Sequence, residues 1–183
     1  SLSFIKIRLL TSFIFISMLM VSNSIQAEKK DNYEYSSNVL KVRLSPKAPE
    51  NIAAFYEGRG FSKAMIDILK QQCFITVGIH NKNSDIIWLD ASNWVLKSKA
   101  GNIKRLDREY WTAVWNQMSA PLAHQSTFRW TLLPEELDVR TDEHEGGNII
   151  IPYSDQPFTL SAKFKTKADK SGKSIKIVIN NIQ

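Results

Sequence analysis

The side chains in this sequence best suited to metal chemistry are three histidines, His80, His124 and His144, and one cysteine, Cys73. Imidazole and soft sulfur are ligands that copper ions favour, and Met118 adds a thioether. Their spacing argues against a ready-made centre. There is no His-x-His or Cys-x-x-Cys pair. Cys73 and His80 lie seven residues apart on one expected strand, so they face opposite sides of it. Cys73 also opens an apolar stretch, Cys73-Phe74-Ile75-Thr76-Val77, where a thiol behaves as a small buried hydrophobe. A single cysteine cannot close an internal disulfide. A metal-handling role built on His80, His124, His144 or Cys73 is therefore the alternative expectation, not the leading one.

A second cluster is acidic. Glu135, Glu136, Asp138, Asp142, Glu143 and Glu145 fall within eleven residues, followed by Gly146 and Gly147. Calcium takes several carboxylate and carbonyl oxygens, which makes it the other metal to weigh. EF-hand spacing is absent, however, and the stretch reads as a solvated connecting loop. The five tryptophans, Trp88, Trp94, Trp111, Trp115 and Trp130, all lie between positions 88 and 130. Trp111 and Trp115 sit at helical spacing and Trp130 in a strand-like alternation, so these three are expected in the core. Trp88 and Trp94 flank Leu89-Asp90-Ala91-Ser92 and are expected to be partly exposed. An exposed indole anchors a protein partner or stacks on a sugar ring. The expected partner surface is thus Trp88, Trp94, Asp138, Asp142, Glu143 and Glu145, and a carbohydrate-binding domain is a second alternative. Lys163, Lys165, Lys167, Lys170, Lys173 and Lys176 decorate the last hairpin. Such a row keeps an edge strand soluble or docks an acidic partner. No Gly-x-Ser-x-Gly elbow is present, and no catalytic constellation or cofactor motif stands out. The expectation is a non-enzymatic protein without a cofactor.

A chain that is mostly strand has to position these groups. Leu40, Val42 and Leu44 alternate with polar residues, as do Phe158, Leu160, Ala162 and Phe164; Phe128, Trp130 and Leu132; and Ile175, Ile177 and Ile179. This period of two marks a strand with one buried face. Residues 74–79, 86–89, 94–96 and 149–151 complete a set of about eight. Polar turns separate them at 81–85, read as a hairpin loop, and at 99–102 and 169–173, where glycine is expected to supply positive φ. Two helices are predicted. Ser62 caps one, with Phe61 and Ile66 as a staple and Ala64, Met65, Ile68 and Leu69 as its apolar stripe. Asp107 caps the other, and each helix is expected to cover an open end or edge.

The run FITVGIHN, a polar turn and IIWLD resemble an early hairpin of exported bacterial immunoglobulin-like domains. The segment PFTLSAKFKT with SGKSIKIVINNI resembles the last hairpin of such a sandwich. The resemblance spans about half of the mature chain and lacks the cysteine pair of antibody domains. It implies an antiparallel immunoglobulin-like β-sandwich, here all-β with two short helices, serving as a binding or scaffolding module. It assigns no residue a role.

The N-terminus supplies an address. Lys6 and Arg8 precede an apolar run from Leu9 to Val21, and Ile25-Gln26-Ala27 follows. This is the layout of a secretory signal peptide. The run has 13 residues, short of the roughly 20 that span a bilayer. Residues 1–27 are read as a signal peptide, or as an anchor if uncleaved, 28–37 as a polar tether, and 38–183 as the sandwich. Of the 24 basic and 18 acidic residues, only Lys6 and Arg8 leave with the signal, so the mature net charge is +4. That mild excess and the export signal exclude a nucleic-acid binder. The expected place is periplasmic or secreted, with membrane association through the N-terminal segment if it stays attached. The expected role is an accessory subunit that binds protein partners in the cell envelope.

Overall fold

The computed structural model describes residues 32–183. The predicted signal segment and the start of the predicted tether lie outside the described residues. The remainder of that tether is not one. Tyr33–Ser36 forms β1, paired with β2 (Leu40–Lys47). Tyr33 is buried in the main core, which ties down a segment whose polar neighbours hide its strand character.

The described chain continues through α1 (Pro49–Glu57), α2 (Lys63–Lys70), β3 (Gln72–Asn81), β4 (Ile87–Asp90), β5 (Val95–Ser98), β6 (Gly101–Ile103), α3 (Arg108–Gln117), α4 (Leu122–Thr131), β7 (Glu136–Val139), β8 (His144–Pro152), β9 (Phe158–Thr166) and β10 (Ile175–Ile182). These ten strands form two antiparallel sheets. One has the order β1-β2-β3-β8. The other has the order β6-β5-β9-β4-β7, with β10 also on β9. Alternation places Leu40, Val42, Leu44, Ile75, Val77 and Ile79 of the first sheet against Leu89, Leu96, Leu160, Phe164, Ile177 and Ile179 of the second in one buried cluster. The expected β9–β10 hairpin forms, with Lys163 opposite Lys176 and Ala162 opposite Ile177.

Four short helices occur where two were predicted, and they occupy a different place. A second cluster joins Ile52, Tyr56, Met65, Leu69, Trp111, Trp115 and Phe128 of the helices to Phe74 and Ile150 on the far face of the four-stranded sheet. The helices therefore form a third layer over one end of that face, not a plug at an end or edge of the sandwich. The predicted caps hold: Ser62 Oγ accepts from Met65 N–H, and Asp107 Oδ1 from Tyr110 N–H. Residues 127–131, read as strand, belong to α4. Within five residues, alternation and helical spacing share positions, and the buried set Gln125, Phe128 and Leu132 follows the helical one.

Two further readings are corrected. Residues 81–85 do not close a hairpin, because β3 and β4 lie in different sheets. Asn81, fully buried, holds this crossover by donating to the carbonyls of Asp85 and Val139, each at 2.8 Å. In the β9–β10 turn, positive φ falls on Lys167 and Lys170, not on Gly172. Gly147 meets a different need. A Cβ there would lie 2.5 Å from Leu133 N, and its absence lets the chain after α4 bond to β8 through Leu133 N–H and the Asn148 carbonyl at 2.9 Å.

Tyr56 sits at the centre of the helical cluster. Thr131 Oγ1 donates to the Phe128 carbonyl at 2.7 Å, so it accepts from the Tyr56 hydroxyl at 2.8 Å. Burial favours the neutral phenol and pushes Tyr56 up to about 12. A raised phenol pKa stabilises the fold below the ordinary tyrosine value of about 10. This contribution is lost as pH rises from there through about 12. In a spectrophotometric titration one of the five tyrosines should resist ionisation until the fold gives way, and Tyr56→Phe should abolish that late step. Five tyrosines titrating together in the folded protein would refute the assignment.

Candidate functional site

The outer face of the six-stranded sheet carries Trp88 in a cleft. Register fixes its neighbours: Trp88 lies opposite Asp138 on β7 and Lys165 on β9, and Asp90 opposite Glu136. The cleft encloses about 350 Å³ and is lined by Trp88, Asp90, Glu136, Lys163, Lys165 and Lys170 with Leu89 and Asn93. The β9–β10 turn fixes the indole. Lys167 and Lys170 take left-handed φ of 69° and 63°, and Lys170 N–H bonds back to the Lys167 carbonyl at 3.0 Å. That same carbonyl accepts from Trp88 Nε1–H at 2.8 Å, while Lys170 Nζ stands 4.6 Å from the ring centroid. Asp169 in this turn accepts from Ser171 Oγ and N–H, which holds its carboxyl below the ordinary range.

Charge in the cleft is segregated. Asp90 and Glu136 are directly opposed, as are Lys163 and Lys176, and like charges in such pairs destabilise a sheet. Among the described residues, none of Asp90, Glu136, Lys163, Lys165, Lys170 or Lys176 makes an ion pair. Asp90 is spent instead on its own loop, accepting from Ser92 N–H at 3.0 Å and Asn93 Nδ2 at 2.7 Å.

Of the predicted partner residues, Trp88 and Asp138 thus share this face. Trp94 does not join them. It is 6% exposed and meets Phe164 edge-on at 6.1 Å, because pairing of β5 with β9 turns Trp94 and Leu96 inward and leaves Val95 outside. Trp130, expected in the core, is 85% exposed on α4, whereas Trp111 and Trp115 are buried and stacked at 5.2 Å as expected. The acidic loop is mostly sheet, and its carboxylates diverge. Glu135 pairs with Arg105 at 2.6 Å, Glu143 accepts from Arg140 N–H at 2.8 Å, and Asp142 binds His80. Glu145 stands on β8 opposite Ile79.

The expected metal set is not assembled. His80 and His144 are opposed on β3 and β8 with rings stacked 3.8 Å apart. His124 packs on Phe61 instead, and Cys73 lies near the other end of β3, opposite Ile151. Among the described residues no group of three or more His, Cys, Asp or Glu side chains is placed to hold a metal ion. The acidic stretch therefore offers no calcium cage. Asp90 and Glu136, left out of the expected partner surface, are part of this cleft, because only strand register brings them together.

No family model and no curated protein matches this chain. Two solved structures from Bacillus subtilis are similar to it. One is ycdA, described as a candidate lipoprotein, with 14% identity and a TM-score of 0.44 over 85% of this chain and 40% of that one. The other is the yjhA protein, with 9% identity and a TM-score of 0.40 over 70% and 76%. The chain spans about two fifths of the length of the first. What the geometry defines is a two-sheet antiparallel β protein with a helical layer on one face.

Asp142 provides a check on the site's geometry. His80 Nε2 bonds to its Oδ1 at 2.9 Å, and this bond, with the charges of His80 and His144, holds the carboxyl below the ordinary range. A depressed carboxylate pKa stabilises the fold above its unfolded value and is lost as pH falls through the folded one. His80→Ala should raise the Asp142 carboxyl midpoint, read by carbon NMR, toward the ordinary carboxylate range; an unmoved midpoint contradicts the pairing.

Proposed function

We propose that this chain is an exported, non-catalytic binding protein, an immunoglobulin-like module acting as an accessory subunit of a cell-envelope complex, with its protein partner held at the Trp88 cleft. One observation carries the reading. Three lysines and two carboxylates line a single recess around an indole, yet among the described residues none makes an ion pair. Opposed like charges cost the sheet about 0.2–1 kcal/mol a pair, and a partner with complementary charges removes that cost. The indole, fixed by its own hydrogen bond, loses little freedom on contact and has the character of a binding hot spot. The signal-like N-terminus supports an encounter in the periplasm or outside the cell, or at the membrane if the segment is retained.

Crosslinking and affinity capture from envelope fractions test this. The wild-type protein should recover one reproducible partner. Trp88→Ala and the pair Lys163→Glu with Lys165→Glu should each cut its affinity about tenfold or more, the scale of a hot spot. Lys63→Glu, on the helical layer, should leave it unchanged. Equal recovery by all variants would refute the cleft as the docking site.

A further inference from the structure

The far face of the four-stranded sheet is covered by helices at one end only. Its rows are set by register: Lys47, Phe74 and Ile150; then Ser45, Thr76 and Asn148; then Arg43, Gly78 and Gly146; then Lys41, His80 and His144. Phe74 and Ile150 pack beneath the helices. Beyond them the face opens into a recess of about 330 Å³ lined by Lys41, Arg43, Gly78, His80, His144 and Glu145 with Ile79. That volume lies at the low end of the roughly 300–1,000 Å³ of small-molecule sites.

Gly78 forms its floor, with Gly146 opposite it on β8, and the two glycines differ in kind. At Gly146 a Cβ would strike the Val77 carbonyl oxygen at 2.3 Å, so the fold requires glycine there. At Gly78 a Cβ would meet nothing within 4 Å. Positive φ among the glycines falls only on Gly60 and Gly101 in the described chain. Neither packing nor backbone conformation asks for glycine at position 78. Glycine inside a strand weakens it, and where it persists it often marks the close approach of a ligand.

The walls are rich in donors. Lys41 Nζ and Arg43 Nε share one carboxylate, Glu34, at 3.1 and 3.5 Å, which leaves one positive charge unmatched at that pair. Arg43 meets Glu34 through Nε, so the paired end of its guanidinium stays free, and that end matches oxyanions. The His144 ring makes no side-chain hydrogen bond among the described residues and stacks on His80, which is held by Asp142. In the next row Thr76 Oγ1 donates to Asn148 Oδ1 at 2.8 Å, which leaves the Asn148 amide nitrogen without a hydrogen bond among the described residues.

We infer that the Gly78 recess binds the oxyanion head of a small ligand, a phosphate or a carboxylate, seated on the glycine floor between Arg43, Lys41 and His144. The site is on the opposite sheet from the Trp88 cleft and does not depend on the partner-binding proposal.

NMR of the histidine ring protons tests it, with purified protein titrated at fixed pH by sodium phosphate and separately by sodium acetate, against sodium chloride at matched ionic strength. His80 and His144 should shift saturably with phosphate, with acetate, or with both, and not with chloride. Saturation by phosphate alone identifies a tetrahedral head, and saturation by acetate alone a planar one. Gly78→Val fills the recess with a good strand residue, so its melting temperature should equal or exceed that of the wild type while affinity falls about tenfold or more. Arg43→Gln should weaken binding similarly, which keeps the test decisive if Gly78→Val folds poorly. Shifts no larger than those with chloride, or unchanged affinity in a folded Gly78→Val protein, would overturn the assignment.

Discussion

The arrangement depends on the burial of β3 and β8 between two cores at one end. Consecutive residues Phe74 and Ile75 enter different clusters, as do Ile149, Ile150 and Ile151. A strand can serve two cores only when a layer covers each face, so the helices are a requirement of the sheet. The close approach at Gly147 lets the chain leaving α4 dock on β8, and the aromatic stack of Trp111, Trp115 and Phe128 fills the space above. Full burial of each large apolar side chain contributes roughly 1.5–3 kcal/mol. The helical layer is thus a second source of stability, independent of the sandwich interior.

The same constraint leaves surface available for binding. Once the helices are committed to the Phe74 end, the Gly78 end of that face stays uncovered and carries imidazole, guanidinium and ammonium groups. On the other sheet no helix among the described residues covers the outer face. There the rigid β9–β10 hairpin presses like charges into opposition and pins Trp88 under Lys170. Both surfaces place unmatched polar groups on well-packed strands, an arrangement that gives up a little stability and keeps contact groups preorganised.

Much of the fold was legible in local pattern. Seven of the eight expected strands exist, among them the long alternating runs of β2, β9 and β10. Ser62 and Asp107 announced their helices because a cap is local chemistry. The missed strands, β1, β6 and β7, are short and polar, and pairing, not pattern, makes them strands. For α1, Pro49 at the first turn with Ile52 and Tyr56 on one side was a usable signal. The Phe128 region failed because its window was too short to separate the two periods.

Sequence alone determined what depends on neighbours along the chain: the strand-rich class, the caps, the β9–β10 hairpin and the signal-like layout at the N-terminus. Tertiary structure decided what depends on register and on which sheet a strand joins. It buried Trp94 and exposed Trp130. It scattered the acidic stretch, stacked His80 on His144, and opposed Asp90 with Glu136 and Gly78 with Gly146. The physical reason is that a one-residue shift in register moves every side chain to the other face, and register is set by contacts between segments far apart in the chain.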